Sequence, residues 1–177
     1  MVSLSHAMNH GKDSADKHHH EGMTEMQVRQ AICYLVPTEG NTVSGKVTFT
    51  RVKNGVRVEG EITGLTPGKH GFHIHEYGDL SKSDGTSLGG HFNPTHQPHS
   101  GPEMASRHIG DLGNVTADAE GVAKFDFVDP LLRLMGPEHI LGRGLVLHAD
   151  EDDLESQPTG AAGARVAVGV IGVANTE

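Results

Sequence analysis

The sequence predicts a single all-β domain made of short strands. Val and Thr recur in short runs in which apolar and polar residues alternate, which is typical of strands with one buried face. Twenty-four glycines favour tight turns between these runs, and the 177 residues contain no tryptophan. A chain of this length buries about two-thirds of its unfolded surface, so we expect one core and not two.

The predicted strands follow one another at short intervals. The first three span residues 28–36, 43–52 and 56–62, and Asn54-Gly55 between the last two is typical of a tight hairpin. The next five span residues 69–76, 113–117, 122–128, 144–148 and 165–173. Two polar, glycine-rich stretches remain, residues 77–112 and 149–164. Structureless loops of that length in a compact domain are usually functional.

Residues 1–26 differ in composition from the rest of the chain. They include five histidines and show neither helical nor strand periodicity. Such a segment buries too little apolar surface to offset its ordering entropy, so we expect a disordered tail, with the folded domain spanning residues 27–177. Histidine and methionine bind copper, so the tail is a candidate site for extra metal ions. A solvated tail or a purification remnant is the alternative interpretation.

Acidic residues outnumber basic ones. Lys plus Arg is 14 and Asp plus Glu is 23, so the formal net charge is −9 with neutral histidine. This charge opposes attraction to phosphate backbones and anionic lipids, and we expect neither nucleic acid nor a membrane as a partner. No apolar run approaches the roughly 18 residues that a membrane-spanning helix needs.

Fourteen histidines against one cysteine make metal binding through imidazole the first chemistry to consider. His73 and His75 alternate along one predicted strand, so both rings lie on the same face and can share one ion. His148 ends another predicted strand, where a third ring can be held rigidly. Three nitrogen ligands with an open position suit a redox-active copper.

The first long loop contains a second candidate set of ligands. It contains His91, His99 and His108, with Asp111 three residues further on. Three imidazoles and one carboxylate form a tetrahedral set that suits zinc. These residues therefore predict a zinc site formed by the loop.

The remaining histidines and the cysteine have simpler interpretations. A lone histidine in a soluble domain is more often a surface or hydrogen-bonding residue than a ligand, and this applies to His96 and His139. His70 is expected to be a structural hydrogen-bonding residue. Cys33 has apolar neighbours and no partner cysteine, so it is expected to be a small buried hydrophobic residue.

Four segments closely resemble the copper/zinc superoxide dismutases. They are GFHIHEYGD at 71–79, GHFNP at 90–94, RHIGDLGN at 107–114 and GARVAVGVIG at 163–172. The resemblance runs from about residue 28 to residue 175 and leaves only the tail outside. It implies an eight-stranded Greek-key β-barrel of the immunoglobulin-like sandwich type, with two long functional loops. It also implies an enzyme that converts superoxide to dioxygen and hydrogen peroxide by cycling copper between Cu(II) and Cu(I).

The resemblance also implies which residues bind each metal. The implied copper ligands are His73, His75, His91 and His148. The implied zinc ligands are His91, His99, His108 and Asp111. On this assignment His91 bridges the two ions. Asp152 is similar to the family's buried carboxylate, which links a copper-ligand His73 to a zinc-ligand His99.

The implied mechanism assigns roles to two residues and to the zinc ion. Arg165 is similar to the active-site arginine, and its guanidinium would orient the superoxide anion and offset its charge. His91 is expected to leave copper when the ion is reduced, to take a proton, and to give it to the second superoxide. Zinc is expected to hold the loop, fix the orientation of His91 and raise the copper potential.

Two features depart from the family pattern. The positions of the usual disulfide correspond to Gly85 and Val168, so residues 77–91 must be held by packing, hydrogen bonds and metals. The loop 149–158 is shorter than in many relatives, contains no lysine and carries several acidic residues. These are Asp150, Glu151, Asp153 and Glu155. Arg165 is therefore expected to be the only clear attraction for superoxide.

Alternative functions, the oligomeric state and the location complete these expectations. A copper-delivery module and a purely structural barrel are the alternatives, but neither needs an anion-docking Arg165. A homodimer is expected from residues that match the family's contact positions: Gly78, Leu141, Gly142, Val170 and Val173.

The N-terminus lacks a secretory signal, and the absence of disulfide cysteines is compatible with the cytoplasm. A tail rich in histidine and methionine suits metal capture and favours a periplasmic or extracellular location, with a signal peptide absent from this chain.

Overall fold

The structure is a computed structural model that describes residues 27–176. Nine strands and one short 3₁₀ helix, Thr86–Leu88, form this part of the chain. The strands are β1 (Gln30–Pro37), β2 (Ser44–Val52), β3 (Gly55–Thr63), β4 (Gly68–His75), β5 (Asp111–Ala117), β6 (Ala123–Asp129), β7 (Gly144–His148), β8 (Arg165–Val170) and β9 (Gly172–Val173). The predicted disordered tail, residues 1–26, lies outside the described residues.

The strands form a closed antiparallel barrel. Their order around it is β2-β3-β6-β5-β4-β7-β8-β1, and pairing of β1 with β2 completes the ring. β3 is paired with β2 and β6, while β4 is paired with β5 and β7. The chain therefore crosses the barrel between β3 and β4, as in a Greek key. The predicted eight-stranded all-β barrel is confirmed.

The last predicted strand is divided in two. Val168 in β8 pairs with Val36 at the end of β1, whereas Val173 in β9 pairs with Ala31 near its start. Between them, the amide of Ile171 donates to the carbonyl of Arg143, and the carbonyl of Ile171 accepts from Gly142. Ile171 therefore bonds to the segment before β7, and this interrupts the strand that the sequence predicted as continuous.

β4 and β7 are buried on both faces. In β4, Phe72 and Ile74 pack in the main hydrophobic core, while His73 and His75 point to the opposite face and are only 0% and 1% exposed. All five residues of β7 are buried in the same way. The loops that follow these two strands, residues 76–110 and 149–164, cover that second face. Polar side chains of both loops and strands therefore meet in a region shielded from water.

The rest of the barrel keeps a simpler alternation. In β1, Ala31, Cys33 and Leu35 face the core, while Tyr34 is exposed. Burial raises the pKa of the Cys33 thiol to about 12, so it is protonated at neutral pH and acts as an apolar core residue. Within residues 27–176, no helix has the length and apolar character needed to cross a membrane.

Candidate metal centre

The structure brings the predicted ligands into two buried groups that share one histidine. In each group the ligand atoms lie within 4.8 Å of one another. The first group is His73, His75, His91 and His148. The second group is His91, His99, His108 and Asp111. No other set of three or more His, Cys, Asp or Glu side chains in residues 27–176 is arranged in this way.

Two strands and one loop position the first group. His73 and His75 alternate along β4, and β7 pairs beside β4 and ends at His148. His91 joins them because it forms a single antiparallel bridge with His75. The ring centroids of His73 and His91 are 4.1 Å apart. A short backbone contact therefore carries the loop histidine to the strand histidines.

The first group has the donor atoms that a copper ion needs. Each histidine of this group has one buried ring nitrogen with no hydrogen-bond partner among residues 27–176: His73 Nδ1, His75 Nε2, His91 Nε2 and His148 Nε2. An unpaired buried polar atom is costly, and convergence of four of them is explained by an ion that binds them together. Imidazole nitrogens are ligands that copper prefers.

The opposite nitrogens of these rings are fixed by hydrogen bonds. His75 Nδ1 lies 2.9 Å from the carbonyl oxygen of Gly89, and His148 Nδ1 lies 3.1 Å from that of Gly163. These carbonyls can only accept, so each Nδ1 carries the proton and each Nε2 keeps a free lone pair. The two rings are thereby oriented with their ligand atoms toward the group.

Burial also keeps three of these rings neutral at pH 7. Desolvation lowers the pKa of His91 to about 4 and that of His148 to about 3. The pKa of His75 is lowered well below its ordinary value, first by burial and then by the nearby His91. A neutral imidazole is the form that binds a metal ion, so His75 and His148 have no proton to lose near neutral pH, whereas His91 would lose its remaining proton if each of its nitrogens bound an ion.

The second group is arranged around one carboxylate oxygen. Asp111 Oδ1 lies 2.7 Å from His91 Nδ1 and 3.0 Å from both His99 Nδ1 and His108 Nδ1. The other oxygen, Oδ2, accepts from the backbone amides of Ser100 and His108. Three nitrogens and one oxygen facing a common point form the donor set that zinc prefers.

In the second group, hydrogen bonds outweigh the effect of burial on the pKa values of His99 and Asp111. Burial disfavours the charged forms, but hydrogen bonds to Asp111 and Asp152 raise the pKa of His99 to about 9. Burial likewise opposes ionisation of Asp111, and hydrogen bonds from His108, His91 and His99 nevertheless hold its pKa well below the usual range. The carboxylate is therefore ionised, as a metal ligand must be.

Asp152 connects the two groups from the second loop. Its Oδ2 lies 2.7 Å from His73 Nε2, and its Oδ1 lies 2.9 Å from His99 Nε2. Burial opposes its ionisation, but hydrogen bonds from both rings hold its pKa below the ordinary value. Gly160 makes room for this arrangement, because a Cβ added there would overlap Asp152 Oδ1.

Arg165 lies at the start of β8 and is half-buried. Its Nη1 donates to the carbonyl of Gly85 at 2.5 Å, and its Nη2 donates to that of Gly89 at 2.6 Å. Gly89 is the same carbonyl that orients His75. Burial lowers the pKa of Arg165, but a guanidinium stays charged at neutral pH. Its charge is therefore held next to the first group.

Three supporting residues were missed by the sequence analysis. Arg107, 2% exposed, donates to the carbonyls of His108 and Asp111 and pairs with Asp129 at 2.6 Å. The Asn114 side chain bonds to both the amide and the carbonyl of Asp152. Both residues lie in the quoted segment 107–114, but nothing in the sequence indicates their partners.

Lys69 pairs with Glu151 at 2.7 Å, so the acidic loop has a cation beside it.

The other histidines lie outside both groups. The ring nitrogens of His70 lie 2.9 Å and 2.8 Å from the carbonyl oxygens of His148 and Thr66, which confirms its structural hydrogen bonding. His96 is exposed, and His139 is partly buried. Each of the three therefore has a place in the structure that does not involve the two candidate ion positions.

Known proteins resemble this chain over most of the described domain. A family model described as copper/zinc superoxide dismutase (SODC) matches residues 43–171. The extracellular superoxide dismutase (Cu-Zn) of Brugia pahangi is 46% identical over 152 residues, which cover 81% of this chain and 75% of that protein. The superoxide dismutase (Cu-Zn) of Onchocerca volvulus is 47% identical over 145 residues, covering 76% of this chain and 91% of that protein.

Two further similarities extend over nearly all of the matched proteins. Superoxide dismutase (Cu-Zn) A of Xenopus laevis is 49% identical over 150 residues, covering 81% of this chain and 97% of that protein. A crystal structure of the clock protein EA4 superposes with a TM-score of 0.77 at 44% identity, covering 94% of this chain and all of that one. The family model and these levels of identity show that the chain belongs to the copper/zinc superoxide dismutase family.

Proposed function

We propose that the first group binds copper, that the second binds zinc, and that the chain disproportionates superoxide at the copper. The observation that carries the proposal is the convergence of four unpartnered buried histidine nitrogens next to the charge of Arg165. His91 alone belongs to both groups, and one of its nitrogens faces each of them. It is therefore the residue that would bridge the two ions.

The residues of the chain would then bind the substrate and supply a proton. When bound, copper supplies the one-electron exchange by which two superoxide anions and two protons become dioxygen and hydrogen peroxide. Arg165 would bind and orient the anion, since a guanidinium has five N–H groups and Gly85 and Gly89 leave some of them free. His91 would hold a proton at Nε2 and give it to the peroxide that forms.

Buried partners would keep the two groups aligned during turnover. Asp152 would accept from the remote nitrogens of His73 and His99, which fixes both rings at once. Arg107 would hold the turn that carries His108 and Asp111, because it bonds to both of their carbonyls. Loss of such outer partners typically lowers metal affinity by about 10- to 100-fold.

Metal analysis combined with a superoxide assay tests this function. We expect purified full-length protein, after loading, to contain copper and zinc in equal amounts and to consume superoxide. A chain lacking residues 1–26 should show the same activity when it is fully loaded. Metal binding without superoxide consumption would instead support a copper-delivery module, and loss of activity without residues 1–26 would assign the chemistry to the tail.

The second-order rate constant for superoxide should depend only weakly on salt concentration. The net charge of −9 and the exposed acidic residues of the second loop oppose long-range attraction, and Glu151 also pairs with Lys69. Because salt screens exposed charges beyond about 10 Å at 0.1 M, the repulsion should fade first. We expect the second-order rate constant, measured by superoxide decay, to stay level or rise between low and moderate ionic strength.

A charge reversal in the loop sharpens this test. Glu151→Lys should raise the rate constant at low salt, because it removes a negative charge and frees Lys69. Glu61→Lys is the matched control. Glu61 lies on β3, which pairs with β2 and β6 and not with the strands that carry the site histidines. A steep fall of the rate with added salt in the unaltered protein would reveal positive steering and contradict the prediction.

We also propose that two chains associate as a homodimer through the predicted contact positions. Gly78 lies directly against the carbonyl of Gly142, and a Cβ added at Gly78 would lie 3.0 Å from Val170 Cγ1. Val173 is 52% exposed, and an apolar side chain so exposed can be buried by a partner. Analytical ultracentrifugation of Val173→Glu should show a shift toward monomer.

For location, we propose action outside the cytoplasm. One relative is named as extracellular, and a histidine-rich segment suits metal capture outside cells. Fractionation of the source cells, with detection by an antibody raised against residues 27–176, should find the protein outside the cytoplasmic fraction. Recovery only with cytoplasmic markers would contradict this location.

A further inference from the structure

The segment 77–91 orients the candidate active site but has no covalent anchor. Two of its carbonyls, those of Gly85 and Gly89, hold the guanidinium of Arg165. Cys33 is the only cysteine of the chain, so no intrachain disulfide can fix the segment to the barrel. Some non-covalent contact must therefore keep these carbonyls in place.

Leu88 makes that contact. Its side chain is 0% exposed and forms a hydrophobic cluster with Val146 of β7 and Val168 of β8, separate from the main core. A glycine in β7 opens the slot for it, because a Cβ added at Gly144 would overlap Cδ2 of Leu88. The loop therefore inserts one leucine into a hole on the outer face of the barrel.

The same cluster also contacts the start of the 3₁₀ helix. A Cβ added at Gly85 would lie only 2.8 Å from Val168 Cγ1. Gly85 has a φ of 75°, which is in the left-handed region, and this conformation begins the 3₁₀ helix that ends at Leu88. Val168 thus packs against both ends of the short helix, and the apolar contact occupies the place of a covalent link.

Leu88 is coupled to the site through its neighbour in the chain. The carbonyl of Gly89 lies 2.9 Å from His75 Nδ1 and accepts from Arg165 Nη2 at 2.6 Å. The carbonyl of Leu88 itself accepts from the amide of Tyr77 at 3.0 Å, which ties the helix back to the end of β4. A shift of Leu88 would therefore move the acceptor that orients both a candidate copper ligand and the anion-binding arginine.

We propose that Leu88 is a positioning residue whose insertion between Gly144, Val146 and Val168 fixes the Gly89 carbonyl, and through it the orientations of Arg165 and His75. The inference rests on the proposed function for what Arg165 and His75 do. The inference goes beyond the proposed function because it assigns the geometry of the site to an apolar anchor and not to a disulfide. Protein interiors transmit such changes because they are close-packed.

The test uses full-length protein loaded with copper and zinc, and azide as the anionic probe. Leu88→Ala should weaken azide binding, followed by the copper absorption band, on the order of tenfold, since small misplacements of a positioning group have large effects. Hydrogen exchange of the amides in residues 85–91 should become faster in this variant, while β4 and β7 stay protected. The kcat/KM for superoxide should fall in parallel with azide affinity.

Two controls separate positioning from general loss of stability. Leu88→Met keeps a long apolar side chain and should retain nearly the parent azide affinity and exchange. Leu80→Ala truncates a leucine of the same segment that is 44% exposed, and it should change neither quantity. If Leu88→Ala does not fold, Val168→Ala shortens the wall of the same slot and should produce the same changes to a smaller degree.

The outcomes distinguish this inference from the proposed function. Unchanged azide affinity and unchanged exchange of residues 85–91 in Leu88→Ala would overturn the positioning role. If the unaltered protein neither consumes superoxide nor binds azide, the proposed function fails, but the exchange measurement still tests whether Leu88 anchors the segment. Equal effects of Leu80→Ala and Leu88→Ala would also contradict the inference.

Discussion

Replacing His91 with alanine should remove ligands of both metals at once. His91 Nδ1 lies among the second group, and its Nε2 is one of the unpartnered nitrogens of the first. We therefore expect lower copper and lower zinc content after identical loading. Activity should fall by more than about 100-fold, which is the upper end of the loss that removal of an outer partner causes. Elemental analysis and a superoxide assay on the same samples provide the measurement.

Two other histidines serve as controls for this variant. His75 belongs to the first group only, so His75→Ala should reduce copper content while zinc is largely retained. His139 lies outside both groups, and His139→Ala should leave both contents unchanged. If His91→Ala and His75→Ala lose copper alone and to the same extent, His91 does not bridge the two ions.

Replacing Arg165 with glutamine should slow the reaction without changing the metal content. The guanidinium is the fixed positive charge next to the first group, and loss of one such preorganised donor typically costs about 100-fold or more. We expect kcat/KM for superoxide to fall by about 100-fold. Stopped-flow measurement of superoxide decay on copper- and zinc-loaded protein provides the test.

Matched variants identify the cause of the change in rate. Arg57→Gln makes the same change in net charge at an exposed arginine that pairs with Asp126 on the barrel, and it should leave the rate nearly unchanged. Arg165→Lys keeps the charge but lacks the planar fork that reaches two carbonyls, so its rate should be intermediate. Equal rates for Arg57→Gln and Arg165→Gln would show that only net charge matters.

Part of the site could be predicted from local pattern alone. His73 and His75 alternate on a strand, and side chains two residues apart on a strand must share a face, whatever the rest of the fold does. The all-β class and the short strands also follow from alternating runs and from the hairpin signal at Asn54-Gly55, whereas the closed Greek-key barrel was implied only by the family resemblance. These properties depend on neighbours in the chain, which is why the sequence is sufficient for them.

The outer partners were not predictable from local pattern, and the link from Asp152 to His73 and His99 was expected only from the family resemblance. Arg107 finds Asp129 across 22 positions of the chain, and Asp152 lies 53 positions from His99 and 79 from His73. The interruption of the last strand is of the same kind, because Ile171 bonds to Arg143, outside any strand. Each of these contacts joins residues far apart in the chain and depends on how the segments between strands pack against the barrel.

The sequence by itself determined the all-β class, the histidine pattern of β4 and, through four quoted segments, the resemblance to one enzyme family. The resemblance also implied that His91 belongs to both groups. Only the tertiary structure decided that one carbonyl serves both Arg165 and His75, and that Leu88 fills a slot opened by Gly144. The physical reason is that strand periodicity is set by local backbone geometry, whereas convergence at a buried site requires long-range packing.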